Sequence, residues 1–439
     1  MDFASKGYWF NNFSKNIQPN PFLNRIEYAD ISIIGGGFTG LSTAYHIKKI
    51  NPHLNVMILE QELCGSGESG RNAGFLKNLF GLSRGISKFR YNTKKVEALH
   101  KYMKQAFNYS ENFINSNNID CNYEKTGYFN IATNDAQIAR LENDFEFFDK
   151  LKIYNIEKWS DMKLRNAFNT GFYKLALFDP DCAMIDPAKL VREMKKIVEN
   201  QGVVIFENSP LRSFIRDSKN RFLIQTNQGE IISEFLVFAS SAYSSYFPEF
   251  KYYQIPLITH MVLTEKLSDK QLDSINWKIR SCVEDQQHIP HYCRLTSDNR
   301  LLMGGGNFSI HYSSFIRDNY NYKIFNSLEK HIIKVFPQLK GINITHKWGY
   351  PVSATFDMNP VIGHIGSDKK AIFSIGSNGR GLSLAILNGK TIAELICNQD
   401  TINTGSFVVG RKFMSWPMEP FKFVMSNALL SFMKYQDKL

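Results

Sequence analysis

The run Asp30-Ile31-Ser32-Ile33-Ile34 is short, apolar and β-branched, the pattern of a strand buried on both faces. Gly35-Gly36-Gly37-Phe38-Thr39-Gly40 follows at once, and Leu41–Ile47 then has helical character. A second apolar run, Val56–Leu59, ends on Glu60, twenty positions after Gly40. Strand, glycine turn, helix and strand in this order predict a βαβ unit. Helical patterns follow over 94–116 and 136–150, and Pro187–Asn200 predicts a helix with Asp186 as its N-cap. Val203–Phe206 reads as a strand, and Arg221–Thr226 with Glu230–Ile232 reads as a hairpin around Asn227-Gln228-Gly229. Phe235–Ser240 is a buried strand entering a small-residue turn, and Thr259–Glu265 is another strand. Near the end, Ala371–Ile375 runs into a glycine turn, Gly376–Leu382, and a long helix, Ser383–Cys397. Two strand–glycine turn–helix modules at opposite ends imply a domain assembled from both, with a second domain inserted between. Internal repeats are absent.

Composition narrows the class. A chain of 439 residues, 43% hydrophobic and 21% charged, has ample material for a core in two or three domains. This argues against a disordered, collagen-like or disulfide-stapled protein. Its apolar runs stop short of the ~20 residues a membrane-spanning helix needs. Met1–Asn20 has no apolar stretch of the kind a secretory signal carries. Six cysteines form no C-x-x-C pair, so reduced thiols and a cytoplasmic location are expected. The net charge of +11 suits nucleic acid, anionic lipid or an acidic substrate. The basic residues are scattered singly or in pairs, however, which favours a solvated basic surface over a nucleic-acid partner.

The glycine turn carries the chemistry. In G-x-G-x-x-G, Gly35 permits the tight turn, Gly37 admits a pyrophosphate to the backbone, and Gly40 lets helix and strand pack closely. Phe38 and Thr39 open the helix, whose free N–H groups and dipole favour phosphate. Glu60, followed by Gln61, is placed to accept hydrogen bonds from ribose hydroxyls. Its charge would repel a 2′-phosphate, which disfavours NADP and leaves FAD and NAD.

Further motifs follow in order. They are Tyr8-Trp9, Gly67-Glu68-Ser69-Gly70-Arg71-Asn72-Ala73-Gly74, Tyr292–Thr296 with Asp298, and Arg300-Leu301-Leu302-Met303-Gly304-Gly305-Gly306. Phe336–Leu339, Trp348-Gly349, Thr355 with Asp357, Pro360–Gly363 and the turn at 376–382 complete the set. Together they resemble the FAD-dependent oxidoreductases of the D-amino-acid oxidase, glycine oxidase and sarcosine oxidase family, and within it the γ-glutamylputrescine oxidase branch.

The resemblance implies an α/β fold, a Rossmann-like FAD-binding domain with an inserted mixed-sheet substrate domain. The FAD-binding part would comprise 1–85, 170–245 and 345–439, and the substrate part 86–169 and 246–344. FAD would be bound non-covalently by the glycine turn, Glu60, Gln61, Ser69, Gly70, Arg71, Asn72 and Gly74. The backbone around Val204, the Ala239-Ser240 turn, and Gly376, Asn378, Gly379, Gly381 and Leu382 would complete its site. Arg71 would either add positive charge near the ring or pair with a carboxylate across the domain seam. The implied reaction is oxidation of an amine or amino acid to an imine, with hydride passing to the flavin.

Arg294 is the candidate carboxylate anchor by residue type, or else an ion-pair partner of Asp298 or Glu284. His260, on its strand, either faces the flavin or is a packed residue, and His364 is similar. Arg380 stands where relatives often carry histidine and so bears on the charge of the pocket. Sarcosine oxidases tether flavin through a cysteine that has no counterpart between Arg294 and Cys397. They also place a lysine on the strand before the 304–306 glycines, where this chain has Arg300–Met303. The electron acceptor is therefore open between oxygen and a quinone. The tail from Phe421 predicts an apolar helix that lies on a membrane surface or docks on the FAD-binding domain. Two other functions stay open: a tRNA wobble-uridine side-chain oxidoreductase of the same fold, and a flavoprotein without turnover.

Overall fold

The computed structural model describes residues 7–11, 17–78, 93–316 and 321–437. The apolar runs at 26–34 and 56–59 lie side by side, with Ile34 level with both Leu59 and Phe238. They sit inside a sheet ordered Val361–Ile365, Ala371–Ile375, Glu230–Phe238, Ile26–Ile34, Val56–Leu59, Val204–Phe206. The pairings are parallel except for the first, and Ser213–Arg216 with Phe222–Gln225 extend Glu230–Phe238 as an antiparallel hairpin. The runs expected separately at 230–232 and 235–240 form one strand, because the central strand pairs along its whole length.

Helix Phe38–Ile50 packs on this sheet and against helix Gly381–Ile396. Contact is close at Gly389, where a Cβ would meet Thr39 O at 2.7 Å, and Ser42 Oγ donates to Ile386 O at 2.6 Å. Both helices share a core with Ile31, Ile33 and Ile58 of the strands. Helix Thr93–Ser116 covers the pair, its Tyr102 hydroxyl donating to Asn388 Oδ1 at 2.6 Å. Helix Pro187–Asn200 has the expected cap, with Asp186 Oδ1 accepting from Ala188 N and Lys189 N at 3.0 Å.

A second, mostly antiparallel sheet runs Ile344–Ala354, Ile255–Lys266, Arg300–Gly305, His291–Leu295, Cys282–Asp285, Tyr128–Ala132, Leu175–Asp179, Glu157–Ser160. Phe325, Leu328 and Ile332 of helix Tyr322–Val335 pack against it. Leu175–Asp179 and Ile344–Ala354 pair here, and not in the sheet of the glycine turn, although they fall, but for Ile344, in the ranges 170–245 and 345–439 expected for the FAD-binding part. The expected division at 85/86 lies outside the described residues.

Candidate active site

Residues from both sheets enclose a cavity of about 1680 Å³, well above the roughly 300–1,000 Å³ of an ordinary small-molecule site. The glycine turn forms one end. Gly35 has φ +109°, and a Cβ there would press on Ala239 O at 2.8 Å. Gly37, Phe38 and Thr39 line the cavity, with Phe38 N donating to Ser69 Oγ at 3.0 Å. Gly40 lies behind them, where its Cβ would be 2.0 Å from Gly35 O, the close helix–strand contact expected of it. Glu60 also lines the cavity beside Gln61. Its carboxylate accepts from Gly36 N at 2.8 Å and Glu62 N at 3.0 Å, and burial pushes its pKa up to about 7.

Three loops meet at a residue that sequence reasoning missed. Glu68 is half-buried, and its carboxylate accepts from Ser241 Oγ at 2.7 Å and Ser377 Oγ at 3.1 Å. It thereby ties the Ser69 loop to the turn after Ala239-Ser240 and to the C-terminal glycine turn. Asn72 caps the same loop, donating to Glu68 O and Ser69 O and accepting from Gly74 N. Ser69, Asn72, Ala239, Ser240, Asn378, Gly379, Gly381 and Leu382 all line the cavity.

Besides Gly40, five expected cofactor contacts do not face it. Gly70, Gly74 and Gly376 abut Phe10, Ile185 O and Thr355, so these glycines serve packing between protein segments. Arg71 is buried with Nε on Ser66 O at 2.6 Å, while its own carbonyl accepts from Trp348 Nε1. Val204 lies exposed on an edge strand, and Pro210 and Leu211 line the cavity beyond it.

At the other end, Lys77 pairs with Glu284, and its backbone is tied on both sides to Ser383 Oγ. Arg380, at the N-cap of Gly381–Ile396, lines the same corner. Burial lowers its guanidinium pKa, partly offset by the neighbouring Glu284 and Tyr128. Tyr292 and Tyr350 add two hydroxyls, and burial pushes Tyr292 up to about 12.

Two proposed catalytic residues are displaced. Leu257 and Thr259 line the cavity, so strand alternation turns His260 to the opposite face, against the Phe325 ring at 5.3 Å. Arg294 shares the parity of Tyr292, but the Ala73-Gly74 loop intervenes. Its guanidinium donates to the carbonyls of Ala73 (3.1 Å), Gly74 (3.3 Å) and Ile185 (2.7 Å). The suggested ion-pair partners are engaged elsewhere, Asp298 with Arg300 and Glu284 with Lys77. Arg294 is a clamp on backbone. His364 bonds Lys369 O on its own hairpin.

Asp285, which lines the cavity, clusters with His291 and His331. The two imidazoles stack at 3.7 Å and 4°, and His291 Nδ1 bonds Asp285, so no single ion can lie in both ring planes. Leu429, Phe432, Met433 and Gln436 of helix Phe421–Gln436 complete the wall. No cysteine among the described residues lines the cavity.

A family model described as FAD dependent oxidoreductase matches residues 30–395. The chain belongs to this FAD-dependent oxidoreductase family. It is 29% identical over 380 residues to the gamma-glutamylputrescine oxidoreductase of Escherichia coli, covering 86% of each chain. The β subunit of an Arthrobacter sarcosine oxidase is 22% identical over 349 residues, covering 76% of this chain and 78% of that one. Among solved structures, glycine oxidase from Geobacillus kaustophilus matches with a TM-score of 0.74 at 18% identity, over 88% of this chain and all of that one. The oxidoreductase's residues fit the cofactor. Glu60 offers a buried acceptor at the end of its strand, as a ribose diol requires, and the glycine turn leaves space for phosphate. Asn378 Oδ1 is buried at the cavity wall without a donor, available to a ligand.

Proposed function

We propose that this FAD-dependent oxidoreductase oxidises an amine or amino acid at the carbon bearing nitrogen, and that the resulting imine is hydrolysed to a carbonyl. Bound FAD supplies the hydride acceptor. The observation that carries this reading is the arrangement at the inner corner, where Arg380 and the Lys77–Glu284 pair line the cavity together. The rigid fork of donors on Arg380 suits a substrate carboxylate better than an ammonium does. The Tyr292 hydroxyl, held protonated by burial, can donate to the same ligand. The surrounding wall of Phe75, Leu257, Val352 and Leu384 is apolar, and a desolvated amine loses its proton more readily, as hydride abstraction requires.

The relatives named above support the substrate class, because two of the three act on sarcosine or glycine by name. The test is anaerobic flavin bleaching over amines, N-methyl amino acids, D- and L-amino acids and γ-glutamyl polyamines. Rapid reduction by a carboxylate-bearing amine is expected. FAD that dithionite reduces but no amine reduces would defeat the proposal, as would reduction by modified tRNA alone.

A further inference from the structure

Helix Phe421–Gln436 is built the wrong way round for a water-facing surface. Its buried residues are Lys422 and Ser426, at 2% and 3% exposure, whereas Phe421, Val424, Phe432 and Tyr435 are 70%, 62%, 56% and 61% exposed. Positions 421, 424, 428, 432 and 435 fall on one stripe of an α-helix. Lys422 holds the helix down by donating to Ser314 Oγ at 2.7 Å and Lys251 O at 3.2 Å. At the far end Asp437 receives His288 Nδ1 at 2.6 Å.

The apolar stripe does not end with the helix. Phe423 meets the exposed Tyr312 ring edge-on, and exposed Tyr246 and Phe315 contact one another. Tyr246, Phe315, Leu429 and Phe432 are at once exposed and part of the cavity wall. The mouth of the cavity therefore opens within an aromatic, aliphatic patch of the kind that marks an interaction surface.

Charge selects the occupant. The acids of this stretch are engaged, Glu419 with Ser313 N and Lys422, and Asp437 with His288 and Arg140. Lys251, whose carbonyl holds Lys422, is exposed, and the whole chain carries +11. Such a surface repels a second copy of itself and attracts an anionic one. Among the described residues no helix is long and apolar enough to cross a membrane, so the contact is one of lying on it.

We infer that helix Phe421–Gln436 and the cavity rim form a docking surface for an anionic lipid bilayer, with the cavity mouth turned toward the membrane. The inference does not depend on the substrate reading above. The test mixes full-length, FAD-loaded protein with phosphatidylcholine vesicles, either plain or doped with phosphatidylglycerol, and sediments them. Binding to the doped vesicles at low salt, and little binding to plain ones, is expected. Phe421→Glu with Val424→Glu should cut the bound fraction about tenfold or more and leave FAD content and melting temperature unchanged, since both side chains point away from the core. Phe421→Ser with Val424→Ser replaces this pair if the charged variant loses FAD. Wild-type protein that stays in solution with doped vesicles overturns the inference, as does a correctly folded variant that binds like wild type. A wild-type dimer that the same variant converts to monomer would also overturn it, since the occupant would then be a second copy.

Discussion

Arg294→Met is expected to loosen the wall of the cofactor site and leave the grip on substrate intact. The guanidinium holds the carbonyls of Ala73, Gly74 and Ile185 from one buried position. Methionine fills much of the space and donates nothing. Gly74 O retains the Ile185 N–H at 2.9 Å, so the loss falls on Ala73 O and Ile185 O. Hydrogen bonds from a charged donor contribute roughly 1.5–3 kcal/mol each, and an abandoned buried carbonyl costs about 1–3 kcal/mol. Removing a buried charge returns part of its own desolvation penalty. The net is a destabilisation of about 2–5 kcal/mol, large beside the ~5–15 kcal/mol that holds a typical protein folded. Ala73 lines the cavity next to Asn72, so the loosened loop should release FAD sooner. Thermal melts read by FAD fluorescence, with urea titration, would show a lower transition and less retained flavin. Molecules still holding FAD should keep the wild-type KM. Arg294→Lys should fall between, since an ammonium keeps the charge without the planar fork. An Arg294→Met protein that melts like wild type, keeps its flavin, and loses affinity only for carboxylate-bearing substrates would refute this reasoning.

Arg380→Met should leave FAD content intact and raise the Kd of a carboxylate-bearing substrate about 30- to 1000-fold, the equivalent of about 2–4 kcal/mol for a desolvated charge pair. Stopped-flow bleaching against substrate concentration would measure it, and an unchanged Kd would send the carboxylate to Lys77. Glu60 titrates near 7 in the FAD-free protein, above its ordinary value of 4.5. Its stabilising effect is therefore fully present below about pH 4.5 and is lost as pH rises toward 7. FAD-stripped wild type should lose about 3 kcal/mol of stability across that interval relative to Glu60→Gln, and parallel pH–stability curves for the two would contradict the assignment.

The glycine turn, Val56–Leu59 and the two ends of the cofactor sheet were legible because each rests on local pattern. Glycine spacing, β-branched runs and the Asp186 cap act over a few residues. His260 was not legible, because Ile255–Thr264 is buried throughout and no polar alternation marks which face meets the cavity. Knowing that Thr259 lines the cavity would have fixed it. Arg294 points toward the correct face, but a loop more than two hundred positions earlier in the chain absorbs its donors, a contact invisible in sequence. Glu68 lay inside a quoted motif, yet its role depends on Ser241 and Ser377, which only the fold brings within reach. The tail was readable as a helix, and its inversion was not, since burial of Lys422 depends on partners at Lys251 and Ser314.

The central strand of the cofactor sheet, Ile26–Ile34, is flanked by Val56–Leu59 and by Glu230–Phe238, which in turn pairs with Ala371–Ile375. During synthesis on the ribosome, the fingerprint turn emerges early and its second wall emerges almost last. Long-range pairing of this kind leaves Ile26–Ile34 paired only with Val56–Leu59, its other side open until Glu230–Phe238 emerges near mid-chain. Flavin capture is consequently a late event in the life of the nascent chain, and a message truncated before Leu382 yields a polypeptide with an intact motif and only half a binding cleft.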